Sequence, residues 1–125
     1  MTIEIDKLFF SEPNLSANGF RTANVDDEQH QAWRRELFVD RQNEINIALT
    51  FLQGVQTIKT PRCSSYYLKH VAERWMGSYI CNGAMIAALI VSGVPIGRDP
   101  RSPNCRYGIS KRWIAQREMW KQAKR

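Results

Sequence analysis

The sequence predicts an all-α fold: one compact domain of four to five short helices around a buried central helix, entered through an irregular N-terminal arm. Three observations predict it. Ile45, Ala48, Leu49 and Leu52 recur at i, i+3, i+4 and i+7, which lays a stripe along one helix face. Leu68, Val71, Ala72 and Trp75 repeat that spacing. The 23 residues from Trp75 to Gly97 carry no charge, and within them Ala84 to Val91 is apolar without interruption. A chain of 125 residues supports a single modest core. The expected division is an arm over 1–24 and a helical domain over 25–125 that ends in a basic helix.

In the arm, Ile3 and Ile5 alternate with polar residues as in a short strand, and Ser11-Glu-Pro-Asn and Asn18-Gly19 read as turns. The first helix is expected from Asp26, an N-cap with Gln29 three residues on and Asp27 and Glu28 at the positive end of the dipole. Trp33, Leu37 and Phe38 form its apolar side. A second helical pattern runs from about Asp40 to Gln53, where Gly54 stops it. After Thr60-Pro61, Ser64 or Ser65 caps a third helix that Gly77 ends. Asn82 is expected to cap the fourth, from Gly83 to Val91, apolar on every side and so the most buried element. Val94 to Gly108, with three prolines and two glycines counting its own end, reads as a long loop. The last helix begins near Ser110, with Trp113 and Trp120 on one face among six Lys and Arg.

Three stretches carry a resemblance. They are Ser64 to Trp75 (Ser-Ser-Tyr-Tyr-Leu-Lys-His-Val-Ala-Glu-Arg-Trp), Tyr79 to Ala88 (Tyr-Ile-Cys-Asn-Gly-Ala-Met-Ile-Ala-Ala), and Ser102-Pro103-Asn104 with Ile109 and Ser110. Together they resemble a group of small uncharacterised proteins carried by plasmids, prophages and gene cassettes. The resemblance implies a cytoplasmic protein of the mobile gene pool, with accessory or anti-defence roles open to it.

The charge is uneven. From Arg98 onward nine Lys and Arg face only Asp99 and Glu118, whereas the rest of the chain is close to neutral. That asymmetry points to a polyanionic or acidic partner, nucleic acid or an acidic protein, met by the C-terminal end. Arg98, Arg101, Arg106, Lys111, Arg112 and Arg117 are the expected phosphate contacts, and Tyr107 or Trp113 the ring that stacks on an exposed base. The leading expectation is therefore a non-enzymatic binding protein. One alternative is a protein–protein module, an inhibitor or a homodimer, anchored by Trp113, Trp120 and Met119. Another is a small enzyme using His70 and Glu73, which share a helix face with Tyr66.

Several classes fit poorly. Cys63, Cys81 and Cys105 are odd in number and irregular in spacing, unlike a disulfide framework. With His70 they lack the short Cys pair of most structural zinc sites, so no metal and no cofactor are expected. No signal peptide is expected from Met1-Thr-Ile-Glu-Ile-Asp. The uncharged stretch is broken by Ser78, Asn82, Gly83, Ser92, Gly93 and Pro95, which argues against a membrane span. A helix-turn-helix over Ser65–Trp75 and Gly83–Ser92 fails because its second helix has no polar side chain to offer a base. The free N–H groups at Asn82-Gly83-Ala84 are a weaker candidate for holding an anion.

Overall fold

A computed structural model describes the backbone of residues 3–123 and the side chains of residues 4–119. In chain order it holds α1 (Ile3–Ser11), β1 (Leu15–Ser16), β2 (Gly19–Phe20), α2 (Asp27–Arg35), α3 (Gln42–Phe51), β3 (Cys63–Ser64), α4 (Ser65–Met76), α5 (Asn82–Val91), β4 (Ile96–Arg98), β5 (Cys105–Tyr107) and α6 (Lys111–Ala123). A π-helical turn, Glu36–Asp40, continues α2 toward α3.

The fold is mixed α/β, and the all-α expectation is corrected. Two small antiparallel sheets accompany the helices: the hairpin β1–β2, and a three-stranded sheet in the order β3-β5-β4. Cys63 pairs with Tyr107 and Ser64 with Arg106, while Ile96, Gly97 and Arg98 pair with Tyr107, Arg106 and Cys105. Two strands of the second sheet, β4 and β5, lie within the expected long loop. Its strands have two or three residues, too short for a period-two pattern to show, and β3 lies about forty residues from β5.

The arm is also ordered, contrary to the irregular segment expected. Ile5 and Leu8, one turn apart in α1, are buried in the core. Arg34 of α2 holds this segment down. Its guanidinium donates to the Phe9, Glu12 and Leu15 carbonyls at 2.6, 2.7 and 2.9 Å and lies over the Phe9 and Phe38 rings. The carbonyls left open at the end of α1 are thereby partnered.

Helix α1 replaces the short strand expected through Ile3 and Ile5, whereas the later helices follow the sequence pattern. Asp26 caps α2, its carboxylate accepting from the Gln29 N–H at 2.8 Å. Ser64 caps α4, and Gly77 closes it in the left-handed region at φ +69°. In α5 every residue from Asn82 to Leu89 is buried, against α3, α4, α1 and the hairpin.

The start of α5 differs in one detail that shapes the site. Its N-cap is Cys81, not Asn82, and the Cys81 side chain makes no capping bond. The Cys81 N–H goes instead to the Glu44 carboxylate of α3 at 2.7 Å, which also places negative charge at the positive end of α5. The Gly83 N–H donates to the Ala17 carbonyl at 3.0 Å. A Cβ on Gly83 would come within 1.9 Å of the Ser16 carbonyl oxygen. The hairpin therefore sits directly on this helix end, and an anion has no room there.

Candidate functional site

Two surface features emerge, a polar cleft at the start of α4 and α5 and a basic groove at the start of α6.

The cleft, about 650 Å³, is built by Ala17 and Asn18 of the hairpin turn, by α4, by Tyr79 to Asn82, and by Pro103 and Asn104. The three stretches that carry the resemblance, far apart in sequence, meet here. Asn82 is the hub. Freed from capping, its side chain accepts from the Ser65 hydroxyl at 3.0 Å and donates to the Asn18 carbonyl at 3.1 Å and to Asn104 Oδ1 at 2.9 Å. Ser65 Oγ in turn accepts the Cys105 N–H at 3.1 Å. One amide thus ties hairpin, α4, α5 and β5 together, as a buried polar group must to offset its desolvation.

Along the wall lie Lys69, His70 and Glu73, one helical turn apart. Lys69 is only 5 % exposed. Its ammonium donates to Glu73 Oε2 at 3.1 Å and to the Ile80 carbonyl at 3.2 Å. It lies 4.7 Å from the Tyr79 ring centre and 5.3 Å from that of Tyr66. Glu73 also accepts the Ile80 N–H at 3.0 Å and contacts His70 Nδ1 at 3.0 Å. Burial alone would raise the Glu73 pKa. The Ile80 N–H, the Lys69 ammonium and His70 outweigh it and hold the carboxyl below its ordinary value. The Lys69–Glu73 ion pair is therefore an interior pair and not part of a solvated face.

This arrangement offers binding groups more readily than a nucleophile. The Ser65 hydroxyl is committed at both ends. The Cys81 thiol is pushed up to about 12, chiefly by burial. His70 and Glu73 form a pair that could move a proton, with no activated nucleophile among the cleft residues to use it. Among the described residues no group of three or more His, Cys, Asp and Glu is placed to hold a metal ion, and no helix is long and apolar enough to cross a membrane.

The basic groove, about 500 Å³, is lined by Ile58, Lys59, Thr60, Arg62, Ser110, Lys111 and Arg112. A backbone zipper makes it. The Ile58 N–H donates to Gly108 O, Arg62 N–H to Tyr107 O and Ser110 N–H to Gln56 O, at 2.9, 3.1 and 2.9 Å. Gly108 is needed for this approach, because a Cβ there would lie 2.2 Å from the Ile58 carbonyl oxygen. Lys59 and Arg62, absent from the sequence-based site, are carried by the zipper to Lys111 and Arg112. Their distance along the chain left no sequence signal beyond their charge.

The other expected contacts divide. Arg98, Arg101 and Arg106 are exposed, with Arg98 over the Phe20 ring at 3.9 Å and Arg101 paired with Asp99 at 3.2 Å. Arg117 is turned inward. It lies over the Trp113 and Trp75 rings and donates to the Gln53 carbonyl at 2.7 Å. Tyr107 and Trp113 are 1 % and 6 % exposed, so neither offers a ring face to a base. Tyr107 lies on the inward side of β5, and Trp113 packs edge-on against Phe51. Trp113 is equally closed to a partner protein, and the Trp120 side chain lies outside the described residues. Comparison with protein-family models, curated proteins and solved structures finds no match to this chain.

Proposed function

We propose that this chain is a non-enzymatic binding protein that holds a polyanion, nucleic acid in the first place, against the basic groove at the start of α6. One observation carries the reading: Lys59, Arg62, Lys111 and Arg112 line a single groove with no carboxylate among its residues. None of the four forms an ion pair among the described residues, so their charge is available to a ligand. Lys111 and Arg112 also stand in the first turn of a helix, where cations oppose the dipole and an anion would relieve them. The Thr60 and Ser110 side chains add hydroxyl groups to the same lining. Arg106 and Arg101 extend the positive surface along β5 and the loop before it. An acidic protein surface is the other partner this charge suits.

The test is fluorescence anisotropy of labelled single-stranded and duplex oligonucleotides across a salt series. We expect micromolar binding that weakens steeply with salt. Lys111→Ala with Arg112→Ala should weaken it for every sequence and shallow the salt slope by roughly one to two, about one per lost phosphate contact. An unchanged slope in that variant excludes these residues as contacts. No binding even at low ionic strength removes nucleic acid as the partner.

A further inference from the structure

We infer that the cleft between α4 and the start of α5 is a base pocket, taking a single unpaired nucleobase of a strand whose phosphates lie on the basic surface. The inference rests on the polyanion reading for its ligand class and goes beyond it by assigning a second site.

The argument begins with rings. The buried Tyr107 and Trp113 cannot stack, but the cleft carries two aromatic side chains that can. Tyr66 is 51 % exposed and Tyr79 is 61 % exposed, and both line the cleft. Each stands near the Lys69 ammonium below, and Tyr66 is further braced edge-on by His70 at 4.7 Å between ring centres. Exposed aromatic rings over a desolvated floor suit the flat face of a base, whatever its sequence.

The floor can address a base edge. Asn104 spends its Oδ1 on Asn82, which leaves its amide N–H groups as donors. Lys69 uses two of its three N–H groups, at Glu73 and Ile80. His70 Nδ1 faces the Glu73 carboxylate, which can only accept, so in the neutral form of the ring Nε2 is the acceptor. Two donors and an acceptor around an aromatic wall are the kind of set that hydrogen-bonds an unstacked base. Charge argues for a base rather than a phosphate here, because Glu73 already neutralises Lys69. The phosphates have somewhere else to go. Arg106 is two residues beyond Asn104, and its strand partner Ser64 is two residues before Tyr66. The exposed cationic strand thus adjoins the segments that build the cleft.

The experiment compares a labelled single-stranded twelve-mer with an abasic strand of equal length and charge, by anisotropy, against the whole protein. The unmodified protein should bind the base-bearing strand about tenfold tighter or more. Tyr66→Ala with Tyr79→Ala should erase that difference while leaving abasic affinity and salt slope unchanged. Tyr66→Phe with Tyr79→Phe, which keeps the rings, should retain it. Equal affinity of the unmodified protein for the two strands overturns the base pocket and leaves the basic groove standing. If neither strand binds, the polyanion reading falls, and uncharged nucleosides then decide the cleft by saturation-transfer NMR. Contact that the alanine variant loses supports the pocket, and no contact overturns it.

Discussion

Glu73 illustrates how a single carboxylate can be set by its partners. It receives an ammonium, a backbone N–H and an imidazole at once, and its pKa is held below the ordinary 4.5. A carboxyl whose folded pKa is depressed binds protons more readily in the unfolded chain. Its contribution to stability is therefore complete above about pH 4.5 and is lost as pH falls through the lower folded value. Replacing Glu73 by Gln should lower stability at pH 7, and the deficit should shrink steadily on acidification below pH 4.5. Urea midpoints measured from pH 3 to 7 check this, and a deficit independent of pH would show that the charge is immaterial. Arg34 makes a related point by burial. Its role as the clasp of the arm was invisible in the sequence, where nothing sets Arg34 apart from its neighbour Arg35. What decides it is the set of three carbonyls that α1 and the hairpin bring to it.

At the scale of the element, α2 to α6 were legible, whereas α1 and the strands were not. Asp26, Ser64 and Gly77 mark helix ends by their own chemistry, and the stripes of α3 and α4 repeat over three turns. Strands of two or three residues carry no such repeat, and pairing of Cys63 with Tyr107 is a property of the folded chain alone. Asn82 was singled out as a cap, but its side chain serves a tertiary network while Glu44 takes the Cys81 N–H. The contact between hairpin and α5 depends on a missing side chain. Gly83→Ala would drive a methyl into the Ser16 carbonyl, and the helix end cannot move without breaking the Asn82 bonds. Despite Ala's better helix propensity, this change should cost about 2 kcal/mol or more, in the range of overpacking. Equilibrium denaturation measures it, and a neutral or stabilising result would mean that the hairpin yields easily.

For the whole molecule, Arg98, Arg101, Arg106, Lys111 and Arg112 are all exposed, as Lys and Arg generally are. The choice of rings failed because Tyr and Trp are as much at home in a core as on a surface. Only packing separates Tyr66 and Tyr79 from Tyr107 and Trp113. The Asn82 network joins residues 18, 65, 82 and 104, so the body should not fold in pieces. A chain ending at residue 97 lacks Pro103, Asn104 and β5, and with them the partners of Phe20, Ser65 and Asn82. We expect such a fragment to show no cooperative thermal transition by circular dichroism, whereas the full chain melts sharply. A sharp transition in the fragment would show that α1 to α5 are self-sufficient.

The Asn82 knot also bears on how the protein is born. Its last strand, near residue 104, is synthesised long after the hairpin turn at Asn18, and the hub amide waits between them. During translation the apolar face of α5 is made before the segment that closes over its end. The nascent chain must carry that apolar helix unsealed until the segment near residue 104 has been made. The interval before that segment arrives is when chaperones or aggregation would compete for this chain.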